Sequence, residues 1–340
     1  MVDTRTRTLT VERKSLPLAD PFRISGHVFT SSDVIEVTLS EGTHVGRGEA
    51  AGVYYLGDGV PEMLAGVERA REAVERGIGR EDLRALLPAG GARNALDAAL
   101  WELEAKRTDT PVWRLAGLDA APRPIVTTFT LGADEPEIMA RRAKGFADPL
   151  AIKIKLTGDL ALDIARVAAV RATKPECWIG VDANQGYAIG DLDALVEALV
   201  VQDVRLLEQP LARGREADLE GYRCPIAIAA DESVLTLADV AGAVGRFQVI
   251  NIKLDKCGGL TEALAMARAA RTVGLEVMVG NMVGSSLSMA PAFVLGQLCD
   301  IVDLDGPIFL ARDRVPAITY ERGTAWCGED IWGRASAGKS

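Results

Sequence analysis

Histidine is scarce in this sequence, two residues in 340, and cysteine occurs in an arrangement that excludes several chemistries. The five cysteines, Cys177, Cys224, Cys257, Cys299 and Cys327, are odd in number, scattered, and free of the CxxC spacing that zinc sites use. They read as reduced thiols of a cytoplasmic protein, small buried hydrophobes. An excess of positive charge is also missing: 38 basic against 48 acidic residues give a net charge of −10 and a pI near 5.0. No basic stripe offsets that balance, so a nucleic-acid or anionic-membrane partner is excluded and a small molecule is expected. No apolar run approaches the ~18 residues of a membrane span. The opening MVDTRTRTLTVERKSLPL alternates polar and apolar residues where a secretory signal would be continuously apolar. What is present is 48% hydrophobic and 25% charged residues, enough to fill a large core. The length exceeds a usual single domain and favours two domains, or one barrel with an attached piece.

From Arg5 to about Glu49 the chain reads as three strands, TLTVERKSL, VIEVTLS and VGRGEA, the last two joined by the turn EGTH. From Gly59 to about Leu115 the apolar spacing becomes helical, as in NALDAALWELEAKRT, where Leu96, Leu100 and Leu103 share a stripe. Residues 1–120 are therefore expected to form an α+β domain. After APRP, eight short apolar runs recur, each followed by an amphipathic helical stretch: IVTTFTL, AIKIK, CWIGVD, RLLEQP, IAIAAD, VINIK, EVMVG and IVDLD. Their ends are spaced by roughly 25 residues, one strand plus one helix, and eight such units close a barrel over 121–310. A doubly wound sheet rarely runs to eight strands at so even a spacing. Residues 311–340 have no ninth unit and are expected to return to the first domain, with a frayed end.

Active sites of β/α barrels lie at the C-terminal ends of the strands, and here nearly every strand ends in a charge. Strand two ends in Lys153 and Lys155, strand three in Asp182, strand four in Glu208, strand five in Asp231, strand six in Lys253, and strand eight in Asp303 and Asp305. Taken singly, a KxK is a solvated strand end and a DE pair starts a helix. Six charged ends in registered order point to a site. Three carboxylates on adjacent strands would repel one another without a cation between them, and hard oxygen ligands imply Mg²⁺. Lys153 and Lys155 share one face of their strand, and Lys253 lies on the other side of the carboxylates. A lysine acting as base must have its pKa lowered toward neutrality, which clustered cations and burial would do.

On AIKIK, VDANQGY, LLEQP, ADES, NIKLDKCGG and VDLDGP, with VGRGEA and ALDAALWELEAK in the first domain, the chain resembles the enolase superfamily, muconate-lactonizing subgroup. Within it the dipeptide epimerases are most similar. The resemblance implies a (β/α)7β modified TIM barrel under an α+β capping domain built from both termini. It implies Asp182, Glu208 and Asp231 as Mg²⁺ ligands, Lys155 and Lys253 as the acid/base pair on opposite substrate faces, and Lys153 in support. Lysine bases working with Mg²⁺ are an established pattern for this superfamily. The implied reaction is inversion of the α-carbon of the C-terminal residue of a dipeptide through an enediolate, whose charge a metal and an ammonium would hold. Both histidines, His27 and His44, precede the barrel, which excludes the lysine/histidine racemase subgroup. Asp303 and Asp305 are implied to hold the free α-ammonium of a dipeptide. That ranks epimerase above N-acylamino-acid racemase, o-succinylbenzoate synthase and muconate-type cycloisomerase. The stretch FRISGHVFTSS resembles the mobile cap loop of the family, making Arg23 and His27 candidates for the side-chain pocket, with Asp33, Tyr54 and Tyr55 equally placed. The loop GNMVGSSLSMAPA offers Met282 and backbone amides to substrate. Family resemblance also implies a homo-oligomer.

Overall fold

The structure, a computed structural model, describes residues 7–24 and 27–334, apart from the side chains of Ile24 and His27. Alternating apolar residues build three antiparallel strands, Arg7–Ile24, His27–Glu41 and His44–Ala50, laid side by side in chain order. The first two are longer than expected. Their register runs from Arg7 opposite Glu41 to Pro17 opposite Ser31, then slips before Phe22 meets Phe29. Within FRISGHVFTSS, residues 22–24 and 27–32 thus belong to paired strands beyond a bulge, while Ser25 and Gly26 lie outside the described residues. Aromatic and β-branched residues favour that pairing, and Phe22 also stacks on Phe309, with ring centres 4.7 Å apart.

Ile35, Val37 and Leu39 present one face of this sheet to the helices Val60–Glu75 and Gly91–Thr108. The second helix lies almost in the sheet: a methyl group on Gly46 or Gly48 would stand 2.0 Å from the carbonyl of Ala99 or Ala95. Only glycine permits that approach. The expected stripe of Leu96, Leu100 and Leu103 faces the sheet, but the opposite face is not solvated. Trp101 packs into the barrel core, and its indole donates to Thr261 Oγ1 at 3.0 Å. Asp97 accepts from the Thr261 amide at 3.0 Å, and Arg93 pairs with Glu262 at 2.7 Å. One helix serves two cores.

All eight expected barrel strands are present and parallel: Thr128–Leu131, Ala151–Lys155, Trp178–Asp182, Val204–Glu208, Ala227–Ala230, Val249–Lys253, Glu276–Gly280 and Ile301–Val302, each beside its sequence neighbour. Strands one and eight share no ladder among the described pairings. Side chains bridge that seam: Asp305 accepts from the Thr130 amide at 2.6 Å, Thr127 Oγ1 accepts from the Leu304 amide at 2.9 Å, and Asp303 takes the Thr128 hydroxyl. The crossovers are less regular than expected. Well-formed helices follow strands one, two, three, six and seven (Pro136–Gly145, Leu160–Thr173, Leu192–Val201, Leu260–Thr272, Ser286–Gly296), but strand four is followed only by the single turn Glu216–Leu219 and strand five by Val240–Ala243. Proline and glycine in READLEGYRCP and glycine in VAGAVG cut those stretches short.

The C-terminal segment touches both bodies. Thr319–Glu321 and Thr324–Trp326 form a hairpin that pairs with Ile125–Val126, while the Trp332 indole donates to the Arg47 carbonyl at 3.0 Å. Among the described residues no helix is long and apolar enough to cross a membrane, and all five cysteines are unpaired.

Candidate active site

Side chains two apart on a strand share a face, so the alternation that aims the charged strand ends inward also places Trp178, Leu206, Ala227, Ala229, Val249, Met278 and Ile301 beneath them. These apolar residues plug the barrel floor. Above the plug lie Asp182, Glu208 and Asp231, at most 1% exposed, each offering a carboxylate oxygen within 4.8 Å of the others. Gly280 on strand seven leaves room for the strand-six side chains beside them. A Cβ there would stand 2.6 Å from Asn251 Oδ1 and 3.0 Å from Lys253 Cε.

Asp182 and Glu208 each divide their oxygens between an amide donor and a lysine, whereas both oxygens of Asp231 meet lysines. Asp182 Oδ1 accepts from the Asn184 amide at 3.0 Å and Oδ2 from Lys155 Nζ at 2.5 Å. Glu208 Oε1 accepts from Asn251 Nδ2 at 2.7 Å, and Lys153 Nζ lies 3.4 Å from Oε2. Asp231 Oδ1 accepts from Lys256 Nζ at 2.7 Å and Oδ2 from Lys253 Nζ at 2.6 Å. Burial, then the charge of Asp182, raises the pKa of Glu208 to about 7. Burial acts the same way on Asp231, but Lys253 and Lys256 outweigh it and hold that group far below the usual carboxylate range.

Lys253 and Lys153 depart from the expected depression. Burial disfavours the Lys253 ammonium, yet Asp231 and Glu208 outweigh it and raise its pKa well above the ordinary value. Lys153 is raised likewise, through Asp303 and Glu208. Ion pairing with the carboxylates, which the sequence argument gave to a metal alone, accounts for the difference. The donor set still fits a hard divalent cation: three converging carboxylate oxygens, no sulfur or imidazole among the described residues, and a buried shell.

A cavity of about 520 Å³ opens above the site, a size suited to a small ligand. Lys155, Asp231, Lys253 and Met282 line it, with Leu18, Phe22, Phe29, Tyr54 and Tyr55 from the cap. Three buried polar atoms on its wall have no partner among the described residues: Tyr55 Oη, Asn184 Oδ1 and Glu232 Oε2. Such atoms await a ligand or water. Burial, then Asp231 and Asp182, pushes the Glu232 carboxyl to about 8. Asp303 and Asp305, each 3% exposed, lie off this wall. Asp303 is ion-paired with Lys153, which with its threonine contacts holds it below the usual range against burial. Burial, then the charge of Asp303, raises Asp305 to about 7. Arg23 is exposed on the hairpin, its carbonyl accepting from the Ala133 amide at 3.1 Å, and is not on the wall. The His27 side chain falls outside the described residues.

Sequence reasoning missed Lys256, 2% exposed, which also donates to the carbonyls of Asp231, Val234 and Asn251. Its signal was position, three residues past Lys253 and one helical turn on. Glu232 was quoted within ADES but not singled out.

Eight strands with an inward acidic triad, flanked by lysines under a separate sheet-and-helix cap, define a metal-dependent barrel enzyme class. Residues 6–117 match the family described as mandelate racemase / muconate lactonizing enzyme, N-terminal domain, and 137–303 match enolase C-terminal domain-like. The chain belongs to this family of the enolase superfamily. It is 36% identical to L-Ala-D/L-Glu epimerase of Escherichia coli K12, over 93% of this chain and 98% of the relative. It is 43% identical to N-acetyl-D-glutamate racemase of a Pseudoalteromonas species, over 70% of this chain and 74% of that one. Among solved structures, an enolase family member from Agrobacterium tumefaciens with homology to dipeptide epimerases, holding sodium and L-Ala-L-Glu, superposes with TM-score 0.92 at 38% identity, covering 96% and 100% of the two chains. The dipeptide epimerase of Enterococcus faecalis V583, complexed with Mg and L-Leu-L-Tyr, gives 0.86 at 27% identity, covering 96% and 98%.

Proposed function

We propose that this chain is a Mg²⁺-dependent dipeptide epimerase that inverts the α-carbon of the second residue. The observation that carries this reading is that Lys155 and Lys253, from strands on either side of the carboxylates, line one cavity above the acidic triad. Asp182, Glu208 and Asp231 would hold the metal. A bound Mg²⁺ would supply positive charge for the substrate carboxylate, and two of the carboxylates that would hold it, Asp182 and Asp231, are the partners of Lys155 and Lys253. One lysine Nζ, in its neutral amine form, takes the α-proton, and the other, as an ammonium, gives a proton to the opposite face. Lys153 keeps a fixed positive charge beside Glu208. The cap wall of Leu18, Phe22 and Phe29 excludes water from the exchange. Asp303 and Asp305 are proposed to meet the dipeptide ammonium, Asp305 through the oxygen not bonded to Thr130, while Arg23 and His27 are proposed to meet its side chains. The unpaired thiols support a cytoplasmic setting, and family membership supports a homo-oligomer.

A second reading, racemisation of N-acylated amino acids, is favoured by one observation: Asp303 already has Lys153 as its cation. Deuterium incorporation at the α-carbon in D₂O with Mg²⁺ separates the two. Free dipeptides are expected to exchange two to four orders of magnitude faster than their N-acetyl forms, since a buried ion pair losing one partner costs about 3–5 kcal/mol. Asp303→Asn should narrow that ratio. Equal rates on N-acetyl substrates would give the site to the racemase reading.

A further inference from the structure

The loop after barrel strand seven carries Met282 and Val283 to the cavity wall, and two cap residues hold it there. Ser32, on the second cap strand, donates its hydroxyl to the Val283 carbonyl at 2.6 Å. Glu49, near the end of the third, accepts from the Ser285 amide at 2.7 Å and from the Ser285 hydroxyl at 2.6 Å, across 236 residues of sequence. Ser285 in turn caps the helix Ser286–Gly296, its Oγ accepting from the Leu287 amide at 3.2 Å. The hydroxyl proton is committed to Glu49 and the lone pair to the helix, so the carboxylate selects the serine rotamer. The approach is close: a Cβ on Gly284 would stand 3.1 Å from Glu49 Oε1 and 2.4 Å from Ser288 Oγ. Glu49 is 2% exposed, and its nearest cation, Arg314 Nη1, is 3.9 Å away and nearer to Glu36, at 3.5 Å. A carboxylate this buried, answered chiefly by one serine, is a costly element for mere packing.

We infer that Glu49 is a positioning residue: through Ser285 it sets the place of Met282 and Val283 against the substrate, so that the cap and the strand-seven loop form one recognition wall. The inference rests on the epimerase reading for its substrate, while the clamp itself does not. Glu49 lies off the cavity wall, so losing it should weaken substrate fit and leave the proton transfer intact.

The experiment compares wild type, Glu49→Ala, Glu49→Gln and Ser285→Ala with saturating Mg²⁺, on the free dipeptide that wild type turns over fastest. Glu49→Ala should raise KM by roughly ten- to a hundredfold with kcat held within about threefold, the size of one or two charge-assisted hydrogen bonds. Glu49→Gln should restore most of the loss, its amide oxygen accepting from the Ser285 N–H and its NH₂ donating to Oγ. Ser285→Ala, which loses the hydroxyl contact but keeps the amide bond to Glu49, should raise KM in the same direction by no more than Glu49→Ala, and the double variant should add little to Glu49→Ala. A KM within twofold of wild type in Glu49→Ala, or a fall in kcat that Gln does not restore, overturns the inference. Should Glu49→Ala fail to fold, Ser285→Ala breaks the hydroxyl contact from the loop side and Ser32→Ala removes the separate bond to Val283, and both are read by the same criterion. If wild type turns over no dipeptide, the epimerase reading falls separately, and hydrogen exchange decides the clamp. Amides 282–286 exchanging at least tenfold faster in Ser285→Ala than in wild type uphold it, and unchanged exchange overturns it.

Discussion

Lys155 and Lys253 each face a different metal-ligand candidate, Asp182 and Asp231, and this pairing makes their roles separable. Lys253→Ala is expected to lose epimerisation by at least about a hundredfold, the usual share of a general base, yet to keep α-proton exchange on one epimer. Lys155→Ala should keep it on the other. Proton NMR in D₂O on each pure epimer checks both, and a variant that still epimerised at the wild-type rate would remove the two-base scheme. Lys256 behaves differently, having no place on the cavity wall and four buried acceptors around its ammonium. Lys256→Met leaves those acceptors unanswered and is expected to cost about 3–5 kcal/mol of stability. Because Asp231 then lacks one cation, added Mg²⁺ should raise the melting temperature more in the variant than in wild type, which calorimetry with and without the metal reads directly.

At the scale of elements, the cap sheet and the helix Gly91–Thr108 meet backbone to backbone at Gly46 and Gly48. Gly48→Ala forces a methyl against the Ala95 carbonyl, and a loss of about 1–3 kcal/mol or more is expected in urea unfolding. Gly242→Ala, in a helix with nothing within 4 Å, should be neutral or slightly stabilising. Much of this architecture was legible beforehand. Eight apolar runs became eight strands, and the charges at their ends became the triad and its lysines, because a period-two strand aims every second residue at the same point. The hairpin around Phe22 and Phe29 was not legible, since its pairing depends on a bulge and on Phe309, almost 300 residues away. The partners of Asp303 were hidden for the same reason. A DxD in the sequence does not reveal a neighbouring lysine on strand two or the threonines of strand one. Lys256 lay in plain view, but only tertiary packing shows that its ammonium turns back to Asp231.

The whole molecule depends on one contact surface, where Asp97 is fully buried and burial raises its pKa to about 6 despite the hydrogen bonds from Thr261. A carboxyl whose folded pKa lies above its unfolded one adds stability that is present below about pH 4 and lost as pH rises through 6. Relative to Asp97→Asn, wild type should therefore lose roughly 3 kcal/mol between pH 4 and 8, so that the gap in melting temperature moves in favour of the variant as pH rises. A gap independent of pH would show that Asp97 ionises normally. Because Leu96, Leu100 and Leu103 serve the cap core while Trp101 serves the barrel, neither body carries a complete set of interior residues without the other. The lid cannot be exchanged like a module at a linker. A chimera that borrows a relative's specificity loops must keep this helix with the host barrel and graft only the hairpin that reaches over the cavity, so the natural crossover points for recombining substrate preference lie inside the cap sheet rather than at its border.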